Sequence, residues 1–159
     1  MGTMDSADTR PLPAERDAEA RGLAITLVRR DDDGTFDDAA AAQGLTCDDG
    51  VKTMVAKVGG GAVFVLIPGT RRLDWAKLRS LLVVNRASLV EPEAALEITG
   101  YAPGTITPLG SDRALPVYAD QRILGRRVGM GSGSPDFLLF TDADPLLASL
   151  GATVGDITS

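Results

Sequence analysis

Apolar and polar positions along the chain alternate between two periods. Pro11–Arg21 carries charges on one face and has Pro13 in its first turn, which predicts a helix. Leu23–Arg30 (LAITLVRR) predicts a strand, and Asp31–Gly34 a turn. Phe36–Gln43 is Ala-rich, places Asp37 and Asp38 where a helix dipole favours carboxylates, and stops at Gly44. Val51–Val58 and Ala62–Pro68 are apolar runs flanking Gly59-Gly60-Gly61, the strongest hairpin signal in the chain. Asp74 can cap a helix to about Leu82, with Trp75, Leu78, Leu81 and Leu82 at helical spacing. A short strand over Arg86–Val90 and a helix opened by Glu91-Pro92 and running to about Ile98 follow. Thr99–Gly110 reads as a loop. Strands are predicted over Leu115–Ala119, Arg126–Met130 and Phe137–Phe140, a helix over Asp142–Leu150, and a last strand over Thr153–Ile157. Helices and strands are intermixed, with several consecutive strands, so the fold class is α/β or α+β around a mixed sheet. No internal repeat or interior linker is visible. The polar residues 1–10 read as a flexible N-terminal segment before one domain over 11–159.

Composition narrows the chemistry. The chain has 159 residues, 44% apolar and only 4% aromatic, so its core rests on aliphatic side chains. A net charge of −6 argues against a broad basic face for nucleic acid and leaves room for a small basic groove. There is no His, hence no imidazole base, no Ser-His-Asp triad and no His ligand for a metal. The single cysteine, Cys47, excludes an intrachain disulfide and a multi-Cys zinc site, and reads as a buried or half-buried thiol. No apolar run spans a membrane and no signal peptide is visible, so the expected compartment is the cytoplasm.

Three segments can carry chemistry. Lys52 follows the acidic turn Cys47–Gly50 and opens an otherwise apolar strand; it is either a strand-edge lysine reaching water or a functional cation. Lys57, beside the hairpin turn, is an ordinary surface charge. TGYAPGTITPLG, residues 99–110, has the glycines and prolines of a shaped loop whose N–H groups can face an anion or a carbonyl oxygen, or which simply connects two elements. It lacks the Gly-Lys-Ser/Thr of a nucleotide triphosphatase. GMGSGSPD, residues 129–136, mimics a phosphate-binding glycine loop, but a strand rather than a long helix follows, which excludes a dinucleotide fold. The Asp pairs at 31–33, 37–38 and 48–49 lack calcium-loop spacing and read as turns and helix starts. Ser132 and Ser134 have no imidazole to activate them.

Taken in order, these segments resemble the YbaK/prolyl-tRNA editing domain family of aminoacyl-tRNA deacylases, over about Thr35 to Ile157. The resemblance rests on FDDAAAAQGL, Val51-Lys52-Thr53, the strand ending at Pro68, RRLDWAKL, the Gly-x-x-Pro-Gly element at Gly100, Pro103 and Gly104, LPVYAD at 115–120, and GSGSPD at 131–136. Relatives carry a glycine before the strand near Arg86, where this chain has Leu82-Val83-Val84-Asn85. The resemblance implies a mixed, partly barrel-like sheet with flanking helices. It implies hydrolysis of the ester of a mischarged tRNA of the Cys- or Ala-tRNA(Pro) kind, acting in trans. Its partners would be the tRNA acceptor end and a synthetase, with no cofactor or metal. By this resemblance Lys52, Gly100 and Gly104 are the catalytic positions. Lys52 holds the substrate and stabilises negative charge, while the Gly100–Gly104 loop offers N–H groups to the scissile carbonyl. Thr53, Tyr101, Ala102, Pro103, Gly131, Ser132 and Gly133 are substrate-binding. The alternative is a non-catalytic module of the same fold that docks tRNA or a synthetase.

Overall fold

The computed structural model describes residues 11–30 and 36–159. The element order is α1 (Pro13–Arg21), β1 (Thr26–Arg29), α2 (Phe36–Ala42), β2 (Val51–Val58), β3 (Gly61–Pro68), α3 (Trp75–Leu82), β4 (Ser88–Leu89), α4 (Pro92–Thr99), β5 (Val117–Asp120), β6 (Arg127–Gly131), β7 (Phe137–Asp142), α5 (Ala143–Leu150) and β8 (Thr153–Gly155). Single 3-10 turns cover Cys47–Asp49 and Gln121–Ile123. The predicted elements all occur, with shorter strands at 23–30, 86–90 and 153–157 than the apolar runs suggested. The expected turn at Asp31–Gly34 and the N-terminal segment 1–10 lie outside the described residues.

Five strands form one sheet in the order β4-β2-β3-β5-β8, and three form a second in the order β1-β7-β6. The β3–β5 and β5–β8 pairs are parallel and the others antiparallel. This corrects the expectation of a partly barrel-like sheet: the sheets stay separate and unclosed. They meet at one isolated parallel bridge, Gly50 to Gly129.

The burial pattern explains the β2–β3 hairpin. On β3, Phe64 and Leu66 face the main core, while Val63, Val65 and Ile67 face a second cluster with Leu78 of α3 and Ile157. A strand buried on both faces reads as an unbroken apolar run, as 61–68 does. Val51 and Val55 of β2 join the main core and Ala56 the second cluster. Gly59 turns the hairpin with φ +57. Asp74 caps α3 by accepting a hydrogen bond from the Lys77 N–H at 3.1 Å. Gly44 takes φ +75 after α2, as expected of a helix-ending glycine.

The C-terminal segment is held by a buried carboxylate. Asp120, fully buried, accepts from the Ile157 N–H at 3.0 Å and from Arg122 Nη1 at 3.0 Å. Arg122 Nη1 also reaches Asp156 at 2.8 Å. No helix among the described residues is long and apolar enough to cross a membrane.

Candidate active site

The bridge between Gly50 and Gly129 creates a cleft where the two sheets part. Its volume is about 610 Å³, within the range of small-molecule sites. Glycine is required at the seam because aromatic rings lie against it. A Cβ on Gly129 would sit 2.5 Å from the Phe140 ring and 2.9 Å from Phe36, and one on Gly50 would sit 3.0 Å from Phe36. Phe36, the first residue of α2, stacks on Phe140 with ring centroids 6.3 Å apart. Ile106, Met130 and Leu138 add apolar wall.

Lys52 lies at the mouth of this cleft. It is exposed, and its ammonium has no hydrogen bond or ion pair among the described residues. Arg30, at the end of β1, is a second cation on the lining. Thr53, next along β2, also lines the cleft, and its Oγ1 is buried without a hydrogen-bond partner. Such a group is costly to leave dry and suits a polar ligand atom. Cys47 lines the same cleft and is exposed, which corrects its expected burial: the 3-10 turn it opens lies on the surface.

The 99–110 loop is held at both ends. The Gly100 N–H caps α4 by donating to the Leu96 carbonyl at 2.8 Å, and the Asp112 N–H donates to the Thr99 carbonyl at 2.9 Å. The Gly110 N–H donates to Asp17 Oδ2 of α1 at 2.8 Å. Ala102 to Thr105 close a β-turn, the Thr105 N–H donating to the Ala102 carbonyl at 3.1 Å. Pro103 and Gly104 fill its centre, and Gly104 takes φ +87, the sign a type II turn requires there. The Thr105 carbonyl in turn accepts the Gly133 N–H at 2.7 Å, which ties the loop to the β6–β7 connection. The Gly104 and Ile106 N–H groups donate to nothing among the described residues, and both residues line the cleft.

The structure therefore gathers Lys52, Thr53, Gly104 and Gly131 on one cleft and places the other anticipated residues around it. Gly100 sits behind the loop, its N–H engaged, and a Cβ there would meet the Asp112 carboxylate at 2.5 Å. Ala102 and Pro103 are exposed on the turn. Ser132 is buried; its Oγ donates to the Phe137 carbonyl at 2.8 Å and accepts from the Ser134 N–H at 3.1 Å, locking the β6–β7 turn. Gly133 takes φ +89 and lets the Tyr101 ring pack where a Cβ would be. Asp49 caps its own turn through the Thr46 N–H and pairs with Arg126 at 3.1 Å. Phe36, Gly50, Ile106, Gly129 and Met130 also line the cleft; none was expected as a site residue, although Ile106 lies in the 99–110 loop and Gly129 and Met130 in the 129–136 segment.

Tyr101 supports the loop from within. Its hydroxyl donates to the Leu109 carbonyl at 2.7 Å. Burial first, then Asp17 and Asp112, push its pKa up to about 12. The folded state thus keeps a proton that the unfolded chain releases near pH 10. The contribution of Tyr101 is intact below that pH and is lost as pH rises through about 12. Tyr101→Phe is expected to cost about 1–2 kcal/mol near neutrality, by leaving the Leu109 carbonyl unpaired. It is also expected to flatten the alkaline decline. Urea unfolding of both proteins at about pH 8 and about pH 11 reads both effects.

Comparison with known proteins places the cleft in a family. The sequence profile described as the aminoacyl-tRNA editing domain matches residues 32–148. The chain belongs to that family. The editing domain found here is 34% identical over 86 residues to the proline--tRNA ligase of Bacillus licheniformis, covering 54% of this chain and 15% of the ligase. It is 30% identical over 122 residues to the proline--tRNA ligase of Nitratidesulfovibrio vulgaris, covering 77% of this chain and 21% of the ligase. The chain thus spans about a fifth or less of these curated relatives. A crystal structure described as that of a candidate trans-editing enzyme for prolyl tRNA synthetase superposes with a TM-score of 0.84 at 29% identity, covering 99% of both chains. Mixed α and β structure with two sheets is therefore the editing-domain fold.

Proposed function

We propose that this protein is a deacylase that acts in trans on a mischarged tRNA, removing a small amino acid from a substrate of the Ala- or Cys-tRNA(Pro) kind. The observation that carries this reading is the meeting, on one cleft, of the unpaired Lys52 ammonium, the orphaned Thr53 hydroxyl and the uncommitted Gly104 N–H. The terminal adenosine and its ester enter the cleft, with the amino-acid side chain against Phe36, Met130 and Leu138. Water adds to the ester carbonyl carbon, and the carbonyl oxygen gains negative charge. Lys52 and the Gly104 N–H stabilise that charge, a role whose loss typically costs two to three orders of magnitude in rate. The C–O bond to the ribose then breaks, releasing the free amino acid and the tRNA with its hydroxyl reprotonated.

No carboxylate lines the cleft among the described residues, and the chain has no imidazole. In this reading the substrate takes the water proton on its own amino group, directly or relayed through the ribose 2′-hydroxyl. Modest rates suffice, because the aminoacyl ester is already activated and the gain comes from positioning. A second site of this kind answers a discrimination problem. A synthetase pocket separates amino acids differing by one methylene by only about 1–3 kcal/mol.

The test is a panel of Ala-tRNA(Pro), Cys-tRNA(Pro), Ser-tRNA(Ala) and Ser-tRNA(Thr), with correctly charged Pro-tRNA(Pro) as the control. Loss of one or more small acyl groups, with Pro-tRNA(Pro) spared, is the expected result. A folded, monodisperse protein that hydrolyses none of the four leaves the docking module as the better reading.

A further inference from the structure

Thr53 stands in a row that is otherwise apolar. On β2 it lies between Val51 and Val55, both buried in the main core, and its cross-strand partner on β3 is Leu66, buried there too. Residues two apart on a strand, and partners directly across a ladder, share one face of the sheet. Valine has the shape of threonine and would fill this place with no polar atom left over. The Thr53 Oγ1 is instead buried without a hydrogen-bond partner. An unmatched buried hydroxyl lowers stability, so packing alone favours valine here. One other buried side-chain oxygen among the described residues is unpartnered, Ser111 Oγ, and Ser111 is not on the cleft lining.

The cleft supplies a reason for the hydroxyl. Gly50, Val51, Lys52 and Thr53 all line it. Successive strand residues point to opposite faces, so the cleft wraps the start of β2, with exposed Lys52 on its outer side and Thr53 on its inner side. Side chains that accept a hydrogen bond are scarce on this lining. Lys52 and Arg30 only donate. Thr70 and Cys47 are exposed. Among the described residues, Thr53 is the one lining residue that carries a side-chain oxygen and is not exposed.

We propose that Thr53 is a positioning residue for the attacking water, an inference that rests on the deacylase reading above. A χ1 turn between staggered wells exchanges its hydroxyl with its methyl and brings Oγ1 to the cleft surface. There Oγ1 accepts one O–H of the water. The other proton passes to the substrate amino group as the water oxygen bonds to the ester carbonyl carbon. That proton goes on to the ribose oxygen when the C–O bond breaks. Water is the occupant because it has two hydrogens to place and the substrate amino group takes only one. With both directed away, a lone pair is left facing the carbonyl carbon. The nucleophile is thus held from the inner side of β2, and the charge it creates is met by Lys52 from the outer side.

The experiment follows steady-state deacylation of the small-acyl tRNA that wild type hydrolyses, for wild type, Thr53→Val and Thr53→Ser, with a thermal melt of each. Thr53→Val keeps the shape and removes the hydrogen-bonding atom. It should lower kcat about 10- to 100-fold and leave KM within about two-fold of wild type. Its melting temperature should equal or exceed that of wild type. Thr53→Ser keeps the hydroxyl and should recover most of the rate. A raised KM with unchanged kcat makes Thr53 a substrate contact and overturns the proposal. Wild-type kcat in Thr53→Val, no recovery in Thr53→Ser, or a melting temperature that falls together with kcat overturns it as well. Those outcomes leave the deacylase reading standing. If wild type itself deacylates no mischarged tRNA, that reading fails and the role of Thr53 falls with it.

Discussion

Lys52→Ala is expected to lower single-turnover deacylation of the mischarged tRNA by about 10²- to 10³-fold while leaving the melting temperature unchanged. The two halves of this expectation have separate physical grounds. Stability is indifferent because the Lys52 side chain is exposed and has no partner among the described residues. Surface substitutions of that kind stay within about 0.5 kcal/mol. Catalysis is sensitive because Lys52 is the cation at the cleft mouth nearest in sequence to Thr53, and the ester oxygen gains charge as water adds. Removing one preorganised donor from such a site costs about 2.7–4 kcal/mol of barrier. Lys52→Arg sharpens the test. It keeps the charge but replaces a compact ammonium with a planar fork, so rate should return only in part. A rate for Lys52→Ala within a few-fold of wild type would remove the lysine from the chemistry and leave Arg30 as the cation to examine.

What the sequence discloses about this cleft, and what it conceals, follows from how the cleft is made. Lys52, Gly104 and Gly131 are legible because each carries a local oddity: a lysine heading an apolar strand, a Pro-Gly turn, a glycine run ending a strand. The hairpin is legible for the same reason, since both β2 and β3 place apolar residues in the two core clusters and so read as long apolar runs. Phe36 and Gly129 are not legible, because their importance arises from a contact between residues 93 positions apart across the seam of two sheets. The available signal was glycine inside the strand Arg127–Gly131, which marks close approach of another group. The roles of Gly100 and Ser132 were obscured in the opposite way. Each belongs to a segment that looks like a site, and each spends its polar groups on a helix end or a turn. Only the hydrogen-bond partners separate a loop that is shaped for a ligand from one that is shaped by itself, and residues 99–110 are both.

That distinction gives the second large effect. Gly131→Ala is expected to lower both stability and turnover, because the added methyl meets backbone that cannot rotate away. An ideal Cβ there would lie 2.9 Å from the Thr105 carbonyl oxygen, 3.0 Å from its carbon and 3.1 Å from the Ile106 oxygen. Relief requires the loop to move outward, and the Gly133–Thr105 hydrogen bond at 2.7 Å resists that movement. Overpacking of this kind costs about 1–3 kcal/mol, which lowers the melting temperature by several degrees in a chain of this size. Gly104 and Ile106 ride on the displaced segment, so their N–H groups shift relative to the rest of the cleft lining. A shift of about 1 Å in such an arrangement can cost about 10²-fold in rate. Gly60→Ala is the control: Gly60 has no positive φ and open space where its Cβ would go, so both quantities should stay at wild-type values. Gly131→Ala with wild-type melting and wild-type turnover would mean that the 99–110 loop does not rest on β6 in solution. Gly104 would then owe its position to the turn alone, and the oxyanion role assigned to its N–H would lose its structural support.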